Sequence, residues 1–258
     1  MSELHWKTSI TDIKPNKICV RGYAVDKLMG KVSFAQAIYL ILKGELPPVE
    51  IGKLIEAILV SSIDHGASPP SVLTARTVAS TGAELNAAIA AGILAISHYH
   101  GGAVEEGMQL FLEVDRRATS KNISIRKAVA EILKEMKDKK KRASGFGHRF
   151  HSQDPRTKKL FSLAEELGLA GKFVKIALTI EEELADLVGH PLPLNVDGAI
   201  AALLCELDIP PEIGNAFFIM ARVPGLVAHI HEEKSRMKPM RKIHPQDYEY
   251  DGPPERDL

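Results

Sequence analysis

Cysteine is nearly missing from the sequence, with Cys19 and Cys205 the two such residues in a chain of 258. They lie far apart and form no CxxC pair, which excludes a disulfide scaffold and a cysteine zinc site and fits a chain kept in a reducing compartment. Net charge is also missing, because 33 lysines and arginines meet 33 aspartates and glutamates. No global field draws such a chain to nucleic acid or to an acidic membrane, so an anionic ligand has to be met by local charges. The stretch MSELHWKTSI lacks the apolar run of a signal peptide, and no later segment supplies the roughly 18 uninterrupted apolar residues expected of a membrane span. The expected location is therefore the cytoplasm, with no membrane or nucleic-acid partner. Alternating apolar and polar strand patterns are scarce, and no repeat recurs at solenoid periods.

What the sequence does carry is helical spacing, which predicts an all-α fold. In residues 33–43, Ser33 with Gln36 forms a capping-box pattern, Phe34, Ile38, Ile41 and Leu42 share a face, and Gly44 with Pro47 supplies the stop. Similar periods cover 50–63, 71–81, 84–98, 103–113, 124–138, 156–167, 171–188, 197–207 and 211–231, about ten helices in all. The segment 84–98, ELNAAIAAGILAISH, is so rich in small and aliphatic residues that it is expected at the centre of the fold. KEMKDKKKRASG, at 134–145, reads as a charged helix end leading into a hinge or lid, and the proline-rich stretch 238–258 as a tail that needs another surface to order it.

Ten histidines are many for this length, and His65 in DHGAS, His100 in HYHGG and His148 in GFGHRF all sit beside glycine, which lets a backbone turn sharply near a ligand. Each alone reads as a surface or helix-end residue; three together point to acid-base or hydrogen-bonding chemistry. The pairs His98-x-His100 and His229-x-His231 point apart on a helix, so no metal site is expected. Asp197 opens the apolar segment NVDGAIAALL; it suits a helix cap or dipole compensation, and the same position keeps a carboxylate ionised for use as a base. Arg222 interrupts an apolar helix and Arg156 follows Asp-Pro. A buried guanidinium needs an anion, either a structural carboxylate or the carboxylate of a substrate.

From about Ile18 to Glu232 these residues resemble the citrate synthase superfamily. VRGYAVDKLMGKVSFAQAIYLILKGELP, DHGAS, HYHGG, GFGHRF with DPR, LNVD, and FFIMAR followed by AHIHEE recur in the family's order. The resemblance implies that His100 donates to a thioester oxygen, Asp197 moves a proton at the acetyl carbon, and His148 handles the proton on the oxo or hydroxyl oxygen. It implies that His65, Arg156 and Arg222 hold an oxo-dicarboxylic acid and that Gly145, Phe146 and Gly147 form a CoA-contacting loop. The basic run Lys137 to Arg142 suits CoA phosphates or its own helix end equally, and stays outside the site. The family's architecture implies a large helical domain from 1–102 and 206–258 with a smaller helical domain, 103–205, inserted and closing over the substrates. It also implies a homodimer or larger homo-oligomer, and no tightly held cofactor, with CoA entering as part of the substrate.

Condensation and cleavage share one path, so direction has to be read from departures. The chain lacks the long N-terminal helical extension of typical synthases, PPSVLTAR follows DHGAS where synthases place asparagine and small hydroxyl residues, and His244-Pro245 replaces an Arg-Pro pair whose arginine crosses the dimer. Arg241 is a candidate substitute. The compact form resembles citryl-CoA lyases, relatives of the C-terminal module of ATP-citrate lyase, and implies cleavage of citryl-CoA to acetyl-CoA and oxaloacetate, with a citryl-CoA synthetase as a candidate partner and a reductive citric acid cycle as a candidate setting. A short citrate or 2-methylcitrate synthase is the alternative. A non-catalytic CoA-binding relative is the third, and retention of His100, His148 and Asp197 argues against it.

Overall fold

The computed structural model describes residues 6–147 and 154–257. The chain is overwhelmingly helical: short α1 (Val25–Leu28) is followed by α2 (Phe34–Lys43), α3 (Val49–Ser61), α4 (Pro70–Ser80), α5 (Leu85–Leu94), α6 (Ala103–Lys121), α7 (Ile125–Asp138), α8 (Pro155–Glu166), α9 (Lys172–Val188), α10 (Val196–Glu206) and α11 (Gly214–Arg236). The all-α expectation stands, with ten long helices among the described residues. The capping box at Ser33 and Gln36 is formed from both sides, and Gly44 ends α2 in the left-handed conformation, as the sequence signals require.

A small antiparallel sheet escaped the periodicity. β1 (Thr11–Lys14), β2 (Lys17–Val20) and β3 (Tyr23–Ala24) pair in sequence order, too short to display alternation. The second turn places both Arg21 and Gly22 at positive φ, 48° and 86°, the handedness that two-residue hairpins favour. Arg21 Nε and Nη2 then donate to Ile41 O at 3.0 and 2.8 Å, satisfying a carbonyl near the end of α2.

Contacts divide the chain into a first unit, 1–64 with 97–222, and a second, 65–96 with 223–258. These divisions fall elsewhere than 103 and 205, and 103–205 lies wholly within the first unit. The first unit is built around α10, whose residues Gly198 to Cys205 are all buried. Its neighbours α6 and α9 approach closely; a Cβ on Gly107 of α6 would meet the Ala201 Cβ at 3.0 Å. Val104, Met108, Phe111, Ile176, Ala177 and Ile180 complete this core.

In the second unit α4 and α5 pack together, with Val72, Ala75, Ala79, Ala88, Leu226 and Ile230 as the core. Here the expectation for 84–98 fails. Of α5 only Ala88 and Gly92 are buried, while Leu85 is 45% and Leu94 82% exposed. Its small residues serve one contact, since a Cβ on Gly92 would meet Ala75 and Leu226 atoms at 3.0 Å, and its remaining apolar face is uncovered in the single chain. The first unit's core is centred on α10.

Residues 211–236 form, among the described residues, one helical stretch long and apolar enough by length and composition to cross a membrane. A search for an uninterrupted apolar run misses it because Arg222 breaks the run. Burial of Phe217, Leu226 and Ile230 in the two cores accounts for its apolar character.

Candidate active site

The first unit holds His100, Arg156, Asp197 and Arg222 of the expected site residues, together with the Gly145-Phe146-Gly147 turn. Asp197 stands in the first turn of α10, yet it is not the cap: Asn195 is, with Oδ1 accepting from Asp197 N at 3.0 Å and Gly198 N at 3.2 Å. The Asp197 carboxyl is therefore left for something else, and its Oδ1 is buried without a hydrogen-bond partner among the described residues. Burial pushes this carboxyl above the usual carboxylate range, while Arg156 and Arg222 pull it down and Asp154 adds to the rise. Burial thus works against the ionised form that a helix terminus favours.

Arg222, on α11, is 2% exposed. Its Nε donates to Ser62 O at 3.2 Å, its guanidinium lies 4.9 Å from the centre of the Phe218 ring, and its Nη1 is buried with no partner among the described residues. Burial lowers its pKa, opposed by the charges of Asp64 and Asp197. Arg156, on the first turn of α8, donates Nη1 to Ser61 O at 3.4 Å. Two consecutive carbonyls at the C-terminal end of α3 thus hold both arginines, as the negative end of a helix dipole favours.

His100 is fixed in a tight turn by mutual backbone bonds with Ser97, each 2.8 Å. Its ring meets Phe218 edge-on at 5.8 Å, so Phe218 touches both His100 and Arg222. His98, the other member of the histidine pair, is 2.9 Å from Glu106 Oε1, and Glu106 also accepts from Ser144 Oγ.

The glycine turn is part of the same construction. Gly147 N donates to Pro193 O at 2.7 Å, Asn195 N to Gly145 O at 3.0 Å, and Asn195 Nδ2 to Gly147 O at 3.0 Å. Phe146 bridges to Leu194 and packs edge-on against Phe111 at 6.4 Å. Gly145 and Gly198 touch so closely that a Cβ on Gly198 would fall 2.4 Å from Gly145 O. The turn and the start of α10 are therefore joined by backbone hydrogen bonds and direct contact.

His148 lies outside the described residues. His65 opens the second unit, in the exposed segment before α4. Arg241, the candidate substitute for a cross-subunit arginine, is held within the second unit: its Nε is 3.0 Å from Glu233 Oε1 and its Nη2 contacts Glu233 Oε2. Glu233 also takes Arg76 Nε at 2.7 Å. His244 accepts from Gln246 N at 3.2 Å.

Sequence reasoning missed Asp154, Asn195, Ser62 and Phe218. Phe218 was signalled by its position four residues before Arg222 on one helix; the carbonyls of Ser61 and Ser62 have no sequence signal. The assembled cluster offers a buried carboxyl, two guanidinium groups and an imidazole, with Asp197 Oδ1 and Arg222 Nη1 lacking a partner among the described residues. Such atoms are costly unless a ligand completes them, and a hydroxylated or oxo-carboxylic acid has complementary donors and acceptors.

Residues 47–246 match the family model for the citrate synthase C-terminal domain. The chain belongs to the citrate synthase family. Among solved members it is similar to citryl-CoA lyase from Hydrogenobacter thermophilus, with 46% identity and a TM-score of 0.89 over 98% of this chain and 97% of the other. It shares the fold of a variant of ATP citrate lyase from Methanosaeta concilii in complex with (3S)-citryl-CoA, at 23% identity and a TM-score of 0.82, covering 99% of this chain and 43% of that one. Citrate synthase from Helicobacter pylori is 34% identical over 213 residues, 77% of this chain and 48% of the relative. The chain spans about half the length of the curated citrate synthases it matches.

Proposed function

We propose that the chain is a citryl-CoA lyase, splitting citryl-CoA into acetyl-CoA and oxaloacetate. The observation that carries the choice of direction is the likeness to the Hydrogenobacter thermophilus lyase, at 46% identity and a TM-score of 0.89 over nearly the whole of both chains, where the synthase structures matched over nearly their whole length are 19–20% identical with TM-scores of 0.58–0.61. In the proposed reaction His148, assigned on sequence alone, takes the citryl hydroxyl proton. The bond between the hydroxyl-bearing carbon and the methylene carbon breaks, the hydroxyl-bearing carbon becomes the ketone of oxaloacetate, and the electron pair passes into the thioester enolate, whose oxygen takes a hydrogen bond from His100. Asp197 returns a proton to the methylene carbon, giving the acetyl group.

In cleavage Asp197 acts as the carboxylic acid that returns the proton, and in condensation as the carboxylate that removes it. Arg156 and Arg222, with His65, grip the carboxylates, and the Gly145-Phe146-Gly147 turn contacts CoA. CoA comes and goes with the substrate, with no tightly bound cofactor. Closure by 103–205 excludes water that would hydrolyse the thioester. The uncovered apolar face of α5, with Leu85 and Leu94 exposed, supports a homodimer or larger assembly. A cytoplasmic location, a citryl-CoA synthetase partner and a role in a reductive citric acid cycle complete the proposal.

The test is to supply citryl-CoA in one reaction and acetyl-CoA with oxaloacetate in another, following oxaloacetate and free CoA. Oxaloacetate release from the first with little free CoA supports the lyase. Citrate and free CoA accumulating in the second would make it a short citrate synthase.

A further inference from the structure

We propose that Asp154 is a positioning residue for this cleavage: it holds the Arg156 guanidinium at the first turn of α10, within electrostatic reach of Asp197. The inference deepens the lyase reading and rests on it.

Asp154 is 3% exposed, and a carboxylate so buried persists only if its oxygens are fully engaged. Oδ1 accepts from Arg156 N and Nε, both at 3.0 Å. Oδ2 accepts from Arg156 Nη2 at 2.8 Å and from Val196 N at 3.2 Å. Burial alone raises the Asp154 pKa, but the bonds from Arg156 and Val196 bring it below its ordinary value. One side chain therefore caps α8, grips the fork of Arg156, and ties both to Val196, the residue before Asp197.

Capping alone does not call for this arrangement. A cap needs one acceptor oxygen, which asparagine or serine supplies as well; the fork of a guanidinium and the Val196 N–H need a second. Asp154→Asn keeps Oδ1 and the cap while setting an amide against Arg156 Nη2 and Val196 N. It leaves Arg156 free to turn from its place, and it removes a negative charge facing Asp197.

The experiment is a double-mutant cycle on the full chain with Asp154→Asn, Arg156→Gln and the pair, reading KM and the pH profile of citryl-CoA cleavage. Asp154→Asn is expected to raise KM by about tenfold, the loss of a charge-assisted hydrogen bond. In the Arg156→Gln background the same change is expected to alter KM by less than about twofold, since its effect runs through Arg156. Among the described residues, the charged groups acting on Asp197 are Arg156, Arg222 and Asp154. Releasing Arg156, whose charge lowers the Asp197 pKa more than that of Asp154 raises it, lets that pKa rise, and because cleavage uses the acid form, the alkaline loss of kcat moves to higher pH. An equal KM effect in both backgrounds, or no effect in either, overturns the proposal.

If Asp154→Asn does not fold, Val196→Pro serves. Proline is accepted at the first position of a helix, and Asn195 before it is already extended, at φ −94° and ψ 178°. This change deletes the Val196 N–H bond to Asp154. A severalfold rise in KM with a smaller pH shift in the same direction supports the proposal; a folded variant with unchanged KM and profile overturns it. Wild-type protein without citryl-CoA turnover would sink the lyase reading itself. Calorimetric titration with oxaloacetate then decides the role of Asp154: weaker binding to Asp154→Asn supports it and equal binding overturns it.

Discussion

Gly198→Ala probes the joint between the glycine turn and α10. A Cβ at this position lies 2.4 Å from Gly145 O, 2.5 Å from Leu194 Cδ1 and 3.1 Å from Gly145 C. The leucine methyl can rotate away, but the carbonyl is backbone and already accepts from Asn195 N at 3.0 Å. Restoring ordinary contact at 3.4 Å moves the turn by about 1 Å, a misplacement worth about 10²-fold in rate. Stability changes less. Alanine favours the helix by about 0.8–1 kcal/mol, whereas overpacking costs about 1–3 kcal/mol, leaving a net loss of about 1 kcal/mol. The assay is cleavage of citryl-CoA with the released oxaloacetate followed by reduction, beside a urea melt. The expected variant is folded, slightly less stable and about 10²-fold slower. A kcat within about twofold of wild type would refute the argument that this contact sets the geometry of the site.

Asp197→Ala is expected to lower turnover by about 10²- to 10⁴-fold while calorimetric CoA binding persists; retained turnover removes Asp197 from its role. Arg222→Ala is expected to weaken oxaloacetate or citryl binding by about tenfold or more through loss of a charge-assisted bond, and an unchanged affinity assigns Arg222 to structure. Glu233→Gln is expected to destabilise the chain by about 3 kcal/mol at neutral pH, because Arg76 loses its buried partner. Burial raises the Glu233 pKa, but Arg241 and Arg76 bring it below its ordinary value of 4.5. The stabilisation is therefore complete above that value and lost as pH falls through the folded one. Urea melts of both proteins should converge in acid, and a gap that persists there contradicts the assignment.

The long helices were legible because their apolar spacing and stops are local, as at Ser33, Gln36 and Gly44. Composition cannot say which side of a helix is covered, and so α5, rich in alanine, read as the centre, while it is α10 that centres the first unit's core. The strands were invisible at two to four residues each. In the site, Arg222 and Asp197 announced themselves as charges within apolar segments. That Asn195 takes the cap and leaves the Asp197 carboxyl unengaged depends on the angle at which the chain enters α10. The pairing of Arg241 with Glu233 likewise depends on how the chain turns after α11, where no periodicity guides it.

The most direct measurement is a single turnover of (3S)-citryl-CoA in heavy water, with products resolved by mass. The account predicts oxaloacetate and acetyl-CoA carrying one deuterium in its methyl group, delivered from Asp197, with no free CoA. Citrate and free CoA as the products would contradict it.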